Sequence, residues 1–131
     1  MKRSKIIFLL SLCCLLLAGC SENTPQAVAK AYCKAVFNSD FKKAKSLCTP
    51  ETEEALDLVA GLTKKEELER MKAAEKEFYI VDYTLDEKEG TAKVMIKVTL
   101  KEKGAEKPEV MDQKIELKKV DGKWKVVLKL K

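Results

Sequence analysis

Cys33 and Cys48 are the residues of this chain best placed to do chemistry, and the chemistry they suggest is structural. They flank a tight turn between two helical stretches. In an oxidising compartment two such cysteines most simply pair. A bridge closing that loop would contribute about 3 kcal/mol if its geometry is unstrained. Two buried free thiols are the alternative. A reactive thiol is a third, disfavoured because the chain has no histidine to take its proton. The same absence removes the commonest general base and the commonest metal ligand. The chain also lacks a metal-ligand cluster, a phosphate-cradling glycine loop and a nucleic-acid motif, so no cofactor, metal or nucleic acid is expected.

Other polar residues have a functional and a plain reading. Asp40 stands where a helix needs a cap, beside Phe41, and capping is favoured over a general-base role. Tyr32, Tyr79 and Tyr83 are candidates to line a pocket as hydrogen-bond donors, with Gln113 and Trp124 beside them. Ordinary core packing competes with that reading. Asp82 and Asp112 are acids inside strands, but neither falls clearly on an inward face, and no catalytic residue is assigned. Lys93, Lys97, Lys101, Lys114, Lys118, Lys123, Lys125 and Lys129 should share the outer face of the strands, interrupted mainly by Glu116. A solvated sheet face is the usual reason for such alternation. Contact with anionic headgroups or an acidic partner is the alternative. Unneutralised lysine there disfavours a sheet-to-sheet homodimer.

These residues must be positioned by two kinds of element. Thr24-Pro25 opens a helix, with Val28, Ala31, Tyr32, Ala35 and Val36 as its apolar stripe. Asn38-Ser39-Asp40 breaks it, and a short helix follows in which Phe41, Ala44 and Cys48 share a face. Thr49-Pro50 opens a third helix through Ala55, Leu56, Val59 and Ala60, ended by Gly61. Thr63 with Glu66 reads as a capping box for a fourth helix, running to about Lys76, with Glu66/Arg70 and Lys65/Glu69 as surface pairs. Near Glu77 the apolar period changes from helical to alternating. Strands are expected at Phe78–Leu85, Ala92–Leu100, Val110–Val120 and Trp124–Leu130. Met111, Gln113, Ile115 and Leu117 mark the apolar face of the third, and Asp121-Gly122 is the hairpin turn before the fourth. Helices first and an antiparallel meander after them give an α+β fold, with helices on one face of a four-strand sheet.

The first 23 residues read differently. Lys2, Arg3 and Lys5 precede an apolar stretch from Ile6 to Leu17 broken only by Ser11, then Ala18, Gly19 and Cys20. The stretch is too short to span a bilayer and has the layout of a secretory signal peptide. Leu17-Ala18-Gly19-Cys20 resembles the lipobox of bacterial lipoproteins. That resemblance implies cleavage before Cys20 and acylation of Cys20, which carries diacylglycerol on its sulfur. The division is then 1–19 signal peptide, 20–23 lipidated cysteine and short tether, and 24–131 a single α+β domain. Three residues of tether place the domain roughly 10–15 Å from its anchor. Of the net charge of +5, three positive charges lie in the leader, which leaves +2 and no whole-domain argument for nucleic acid.

The element order, with Thr24-Pro25-Gln26-Ala27-Val28, Asn38-Ser39-Asp40-Phe41, Leu47-Cys48-Thr49-Pro50-Glu51 and Val120-Asp121-Gly122-Lys123-Trp124, resembles the nuclear transport factor 2-like (cystatin-like) superfamily. The resemblance implies a curved sheet wrapped around helices, often with a cone-shaped pocket. Expected, then, is a membrane-anchored cell-envelope lipoprotein whose domain binds a small apolar ligand or an envelope partner without catalysis. If Gram-negative sorting applies, Ser21 favours the outer membrane. Two other readings stand beside it: a small pocket enzyme using Tyr and Asp residues, and a structural interaction protein with a filled core. A filled core with an exposed apolar patch would favour partner docking. An open apolar pocket would favour a ligand carrier.

Overall fold

A computed structural model describes residues 23–128. Four helices, α1 (Pro25–Phe37), α2 (Phe41–Ser46), α3 (Pro50–Leu62) and α4 (Lys65–Ala73), precede four strands. These are β1 (Glu75–Asp86), β2 (Thr91–Lys101), β3 (Glu109–Val120) and β4 (Lys123–Val127), paired antiparallel in the order β1-β2-β3-β4. Among the described residues no helix is long and apolar enough to cross a membrane. The leader, Cys20 and Lys129 lie outside the described residues.

Helix starts follow local capping chemistry. The Thr24 hydroxyl accepts from the Ala27 N–H at 3.2 Å, ahead of Pro25. Asp40 accepts from the Lys43 N–H at 3.3 Å, so its carboxylate is a cap. Thr49 accepts from the Thr52 N–H at 3.4 Å and shares a 2.7 Å hydroxyl contact with Thr52. The expected capping box at Thr63 does not form. Thr63 instead ends α3, its hydroxyl donating back to the Val59 carbonyl at 2.7 Å, and α4 starts from Lys64 with no side-chain cap. That helix ends at Ala73, short of Lys76. Arg70 pairs with Glu102 at 2.7 Å rather than serving only its own helix.

Helix α1 is the core of the helical layer. Its buried face is Val28, Ala29, Tyr32, Cys33, Ala35 and Phe37, while Val36 is only half-buried. The stripe is therefore rotated from the expected one and takes in Cys33, 2% exposed, which the expected stripe left out. This face meets Ala92, Val94, Ile96, Val98 and Leu100 of β2, Ile115 and Leu117 of β3, and Trp124 and Val126 of β4. Helix α3 buries only Thr52 and Leu56, and Val59 is exposed. Helix α4 buries none of its residues.

The two edges of the sheet are unlike. Beyond β4 the chain between α2 and α3 runs alongside: Val126 donates to the Leu47 carbonyl at 2.8 Å, and Thr49 donates to the Val126 carbonyl at 3.1 Å. The Leu128 N–H donates to the Thr52 hydroxyl at 3.0 Å. This edge is closed. At the other edge, β1 pairs with β2 along one side only.

Candidate functional site

The expected space between helix and sheet is nearly filled. What remains is a cleft of about 110 Å³ between α1 and strands β3 and β4, bounded by Tyr32, Cys33, Phe37, Gln113, Ile115 and Leu128. Tyr32 and Gln113 thus come together as expected for pocket residues. Tyr79, Tyr83 and Trp124 do not join them. Trp124 is buried near the β3–β4 turn, with the Lys119 ammonium 5.7 Å from its ring centre. Tyr79 and Tyr83 are 52% and 49% exposed on β1. The Tyr79 hydroxyl donates to Glu77 at 2.6 Å, which holds its pKa above the usual phenol value.

The cysteines at and near the cleft are held as thiols. Cys33 and Cys48 are free and buried, so the expected disulfide is absent. Burial pushes both thiols up to about 12. The Cys48 sulfhydryl donates to the Ala44 carbonyl at 3.1 Å. Neither forms a thiolate nucleophile near neutral pH. The Tyr32 phenol is also raised, first by burial and then by the neighbouring thiols. Among the described residues no group of Cys, Asp and Glu could hold a metal ion. Asp82 accepts from the Tyr83 N–H at 2.9 Å, and Asp112 is exposed opposite Lys97 on the outer face, so neither acid enters the cleft.

The lysine face proves to be a mixed face. Lys93 is cross-strand from Glu116, Lys97 from Asp112 and Lys101 from Glu75. Lys118 faces Lys125, but the Lys125 ammonium donates to the Ser46 carbonyl at 2.9 Å and so helps hold the end of α2. Lys114 and Lys93 border a shallow groove of about 160 Å³ with Asp82 and Thr84. Acids interleave with lysines across three strands. The face is therefore less uniformly basic than expected, with acids cross-strand from Lys93, Lys97 and Lys101 and with Lys118 and Lys125 opposite each other.

The exposed apolar surface lies elsewhere. On β1, Tyr79, Ile80, Val81, Tyr83 and Leu85 are all exposed, and Leu58, Val59 and Leu62 are exposed on α3. Cross-strand partners assign the β1 residues to faces. Phe78, Ile80, Tyr83 and Leu85 oppose the buried Val98, Ile96, Val94 and Ala92, so they belong to the inner face. Helix α1 covers only the start of this row, where Phe37 meets Phe78 edge-on at 6.0 Å. Ile80, Tyr83 and Leu85 extend past the helical layer. Sequence reasoning placed β1 but missed its exposure. The signal was the unbroken run Phe78-Tyr79-Ile80-Val81. Such a run is expected of a strand covered on both faces, whereas this one sits at an edge.

A protein-family model described as "Domain of unknown function (DUF4878)" matches residues 18–127. No curated protein matches the chain. Among solved structures, the chain is similar to the solution structure of a SEC-C motif containing protein from Rhodopseudomonas palustris. The two are 15% identical with a TM-score of 0.59, over 81% of this chain and 77% of that one. The likeness is one of fold.

Proposed function

This chain belongs to the DUF4878 family, and we propose that it is a lipid-anchored cell-envelope lipoprotein whose domain docks a partner protein beside the membrane. One observation carries the docking reading: the interior is filled while large apolar side chains stand exposed on β1. The cleft of about 110 Å³ beside α1 is well below the roughly 300 Å³ at which small-ligand sites begin, and the larger hollow of about 540 Å³ is bounded by Glu75, Lys101, Glu102 and Lys103 rather than by large apolar side chains. That weighs against a carrier, and the raised thiol and phenol pKa values weigh against an enzyme. The anchor rests on the lipobox at Leu17–Cys20, and two or three acyl chains give stable attachment. Asn23 supports a short tether: its amide donates to the Gly122 carbonyl at 2.8 Å and its oxygen accepts from the Trp124 N–H at 3.1 Å. The domain is thereby gripped at the β3–β4 turn, three residues from Cys20. A nuclear transport factor 2-like fold with a filled cone remains part of this proposal.

The test has two arms. Cys20→Ala should abolish incorporation of a palmitate analogue and release the protein from the membrane fraction. A photoreactive residue at position 83 should yield a discrete heavier adduct in intact cells, and one at position 99, on the outer face, should not. A chain that stays membrane-bound and unacylated overturns the anchor. Absence of adducts both from position 83 and from a second probe at the exposed position 62 of α3 overturns docking.

A further inference from the structure

We propose that β1 receives an added strand from a partner polypeptide in which apolar residues alternate with lysine or arginine. This rests on the docking reading above and names its site and its partner's chemistry.

The fold closes one sheet edge and leaves the other open. At β4, Leu47, Thr49 and Thr52 take up the outward backbone groups. Strand β1 pairs with β2 through Asp86 at its far end and presents its other backbone side outward. Edge strands are normally guarded by proline, by lysine or by brevity. From Glu77 to Asp86 β1 has neither proline nor lysine, and the strand is long. Its one lysine, Lys76, does not guard the edge. The Lys76 ammonium turns back to the carbonyls of Met71, Lys72 and Ala74, at 2.8 to 2.9 Å, and ties the end of α4 to the strand. The register shift between Ile80 and Asp82 is the guard that β1 does carry. It adds twist there but leaves both halves of the strand extended.

The two faces of β1 define what an added strand must carry. Inner-face side chains of the newcomer would lie beside Ile80, Tyr83 and Leu85, which are apolar and exposed. Outer-face side chains would lie beside Glu77, Tyr79, Asp82, Thr84 and Asp86, a row whose only charges are the three acids. Those acids stand opposite Thr99, Met95 and Thr91 of β2, not opposite lysine. Opposite charges across a strand pair are favourable and like charges are not. Since side chains alternate, the complement is a strand with an apolar residue at every second position and a basic one between.

The same acids argue against a second copy of this chain. The three longest antiparallel pairings of β1 with itself that keep inner side chains together set Glu75 opposite Asp86, Glu77 opposite Asp86, or Glu77 opposite Asp82. By symmetry each clash occurs twice.

The experiment uses the mature, lipidated protein in detergent micelles and two short peptides, one alternating valine with lysine and one alternating valine with glutamate. Amide hydrogen exchange is followed residue by residue. The lysine peptide should slow exchange at Phe78–Leu85, and the glutamate peptide should bind roughly tenfold more weakly or worse. Glu77→Lys with Asp82→Lys and Asp86→Lys, all at exposed positions, should reverse that preference. Equal binding of the two peptides overturns the proposal. So does protection centred on α3, or protection of β1 that rises with protein concentration alone. If position 83 gives its cellular adduct while the peptides fail, docking stands and strand addition falls. If the peptides bind and no cellular adduct forms, the edge has the proposed chemistry but the docking reading falls, and this proposal falls with it.

Discussion

The backbone N–H of Val126 donates to the Leu47 carbonyl at 2.8 Å, which makes the last strand of the sheet an interior one. A loop between two helices does the work of a fifth strand. Among the described residues the open edge is therefore β1 alone, and the asymmetry between the edges underlies the proposed contact.

Leu56 and Thr52 should decide whether the closed edge holds. They are the two buried residues of α3. Leu56→Ala should cost roughly 2–5 kcal/mol by removing a buried side chain. Thr52→Val keeps the shape but loses the acceptor for Leu128 N–H, and should cost about 1–3 kcal/mol. Urea unfolding checks both, with exchange at Val126 and Leu128 rising selectively in Thr52→Val.

The free thiols predict a pH dependence. Burial raises Cys33 and Cys48 from 9.0 to about 12, so the unfolded chain loses these protons first. Their contribution is fully present below pH 9 and is lost as pH rises toward 12. Tyr32 acts in the same direction. The urea midpoint should fall through this window, and Cys33→Ala with Cys48→Ala should flatten the fall. Alkylation at pH 8 should be slow in the folded protein and complete in urea. A native mass two hydrogens lighter would instead reveal a Cys33–Cys48 bridge.

Gly122 and Asn23 should act together at the β3–β4 turn. Asp121 and Gly122 both have positive φ, 52° and 79°, as a two-residue hairpin turn requires. Gly122→Ala should cost about 1 kcal/mol from backbone strain. Asn23→Ala should leave the core intact yet free the segment after Cys20, seen as faster exchange at Trp124 and faster proteolysis before Thr24.

Val81→Lys should improve solubility without loss of stability. Position 81 is exposed, so the change should stay within about 0.5 kcal/mol. A lysine on an open edge opposes unwanted pairing. Light scattering at rising concentration distinguishes the variant from the parent.

Much of this was legible in the chain because it is local. Thr24-Pro25, Asp40, Thr49-Pro50 and Asp121-Gly122 each write a cap or turn within four residues, and each appears where expected. The alternation of β2 likewise predicts its buried row, Ala92 to Leu100. Thr63 failed because two local signals competed, and its hydroxyl served the helix behind it instead of the one ahead. The rest was non-local. That Glu75, Asp112 and Glu116 fall among the lysines depends on strand register, which no single strand reveals. Whether Tyr83 and Leu85 are covered depends on where α1 crosses the sheet. Cys33 fell outside the expected stripe for the same reason, since the buried side of α1 is fixed by its docking rather than by its own stripe.

The most direct test of the central claim is amide hydrogen exchange across β1 in two settings: the protein on its native membranes and the same protein purified in detergent. The account predicts that Phe78–Leu85 exchange at least severalfold more slowly on the membrane, while Val94, Ile96 and Val126 exchange alike in both. Equal rates along β1 in the two settings would contradict it.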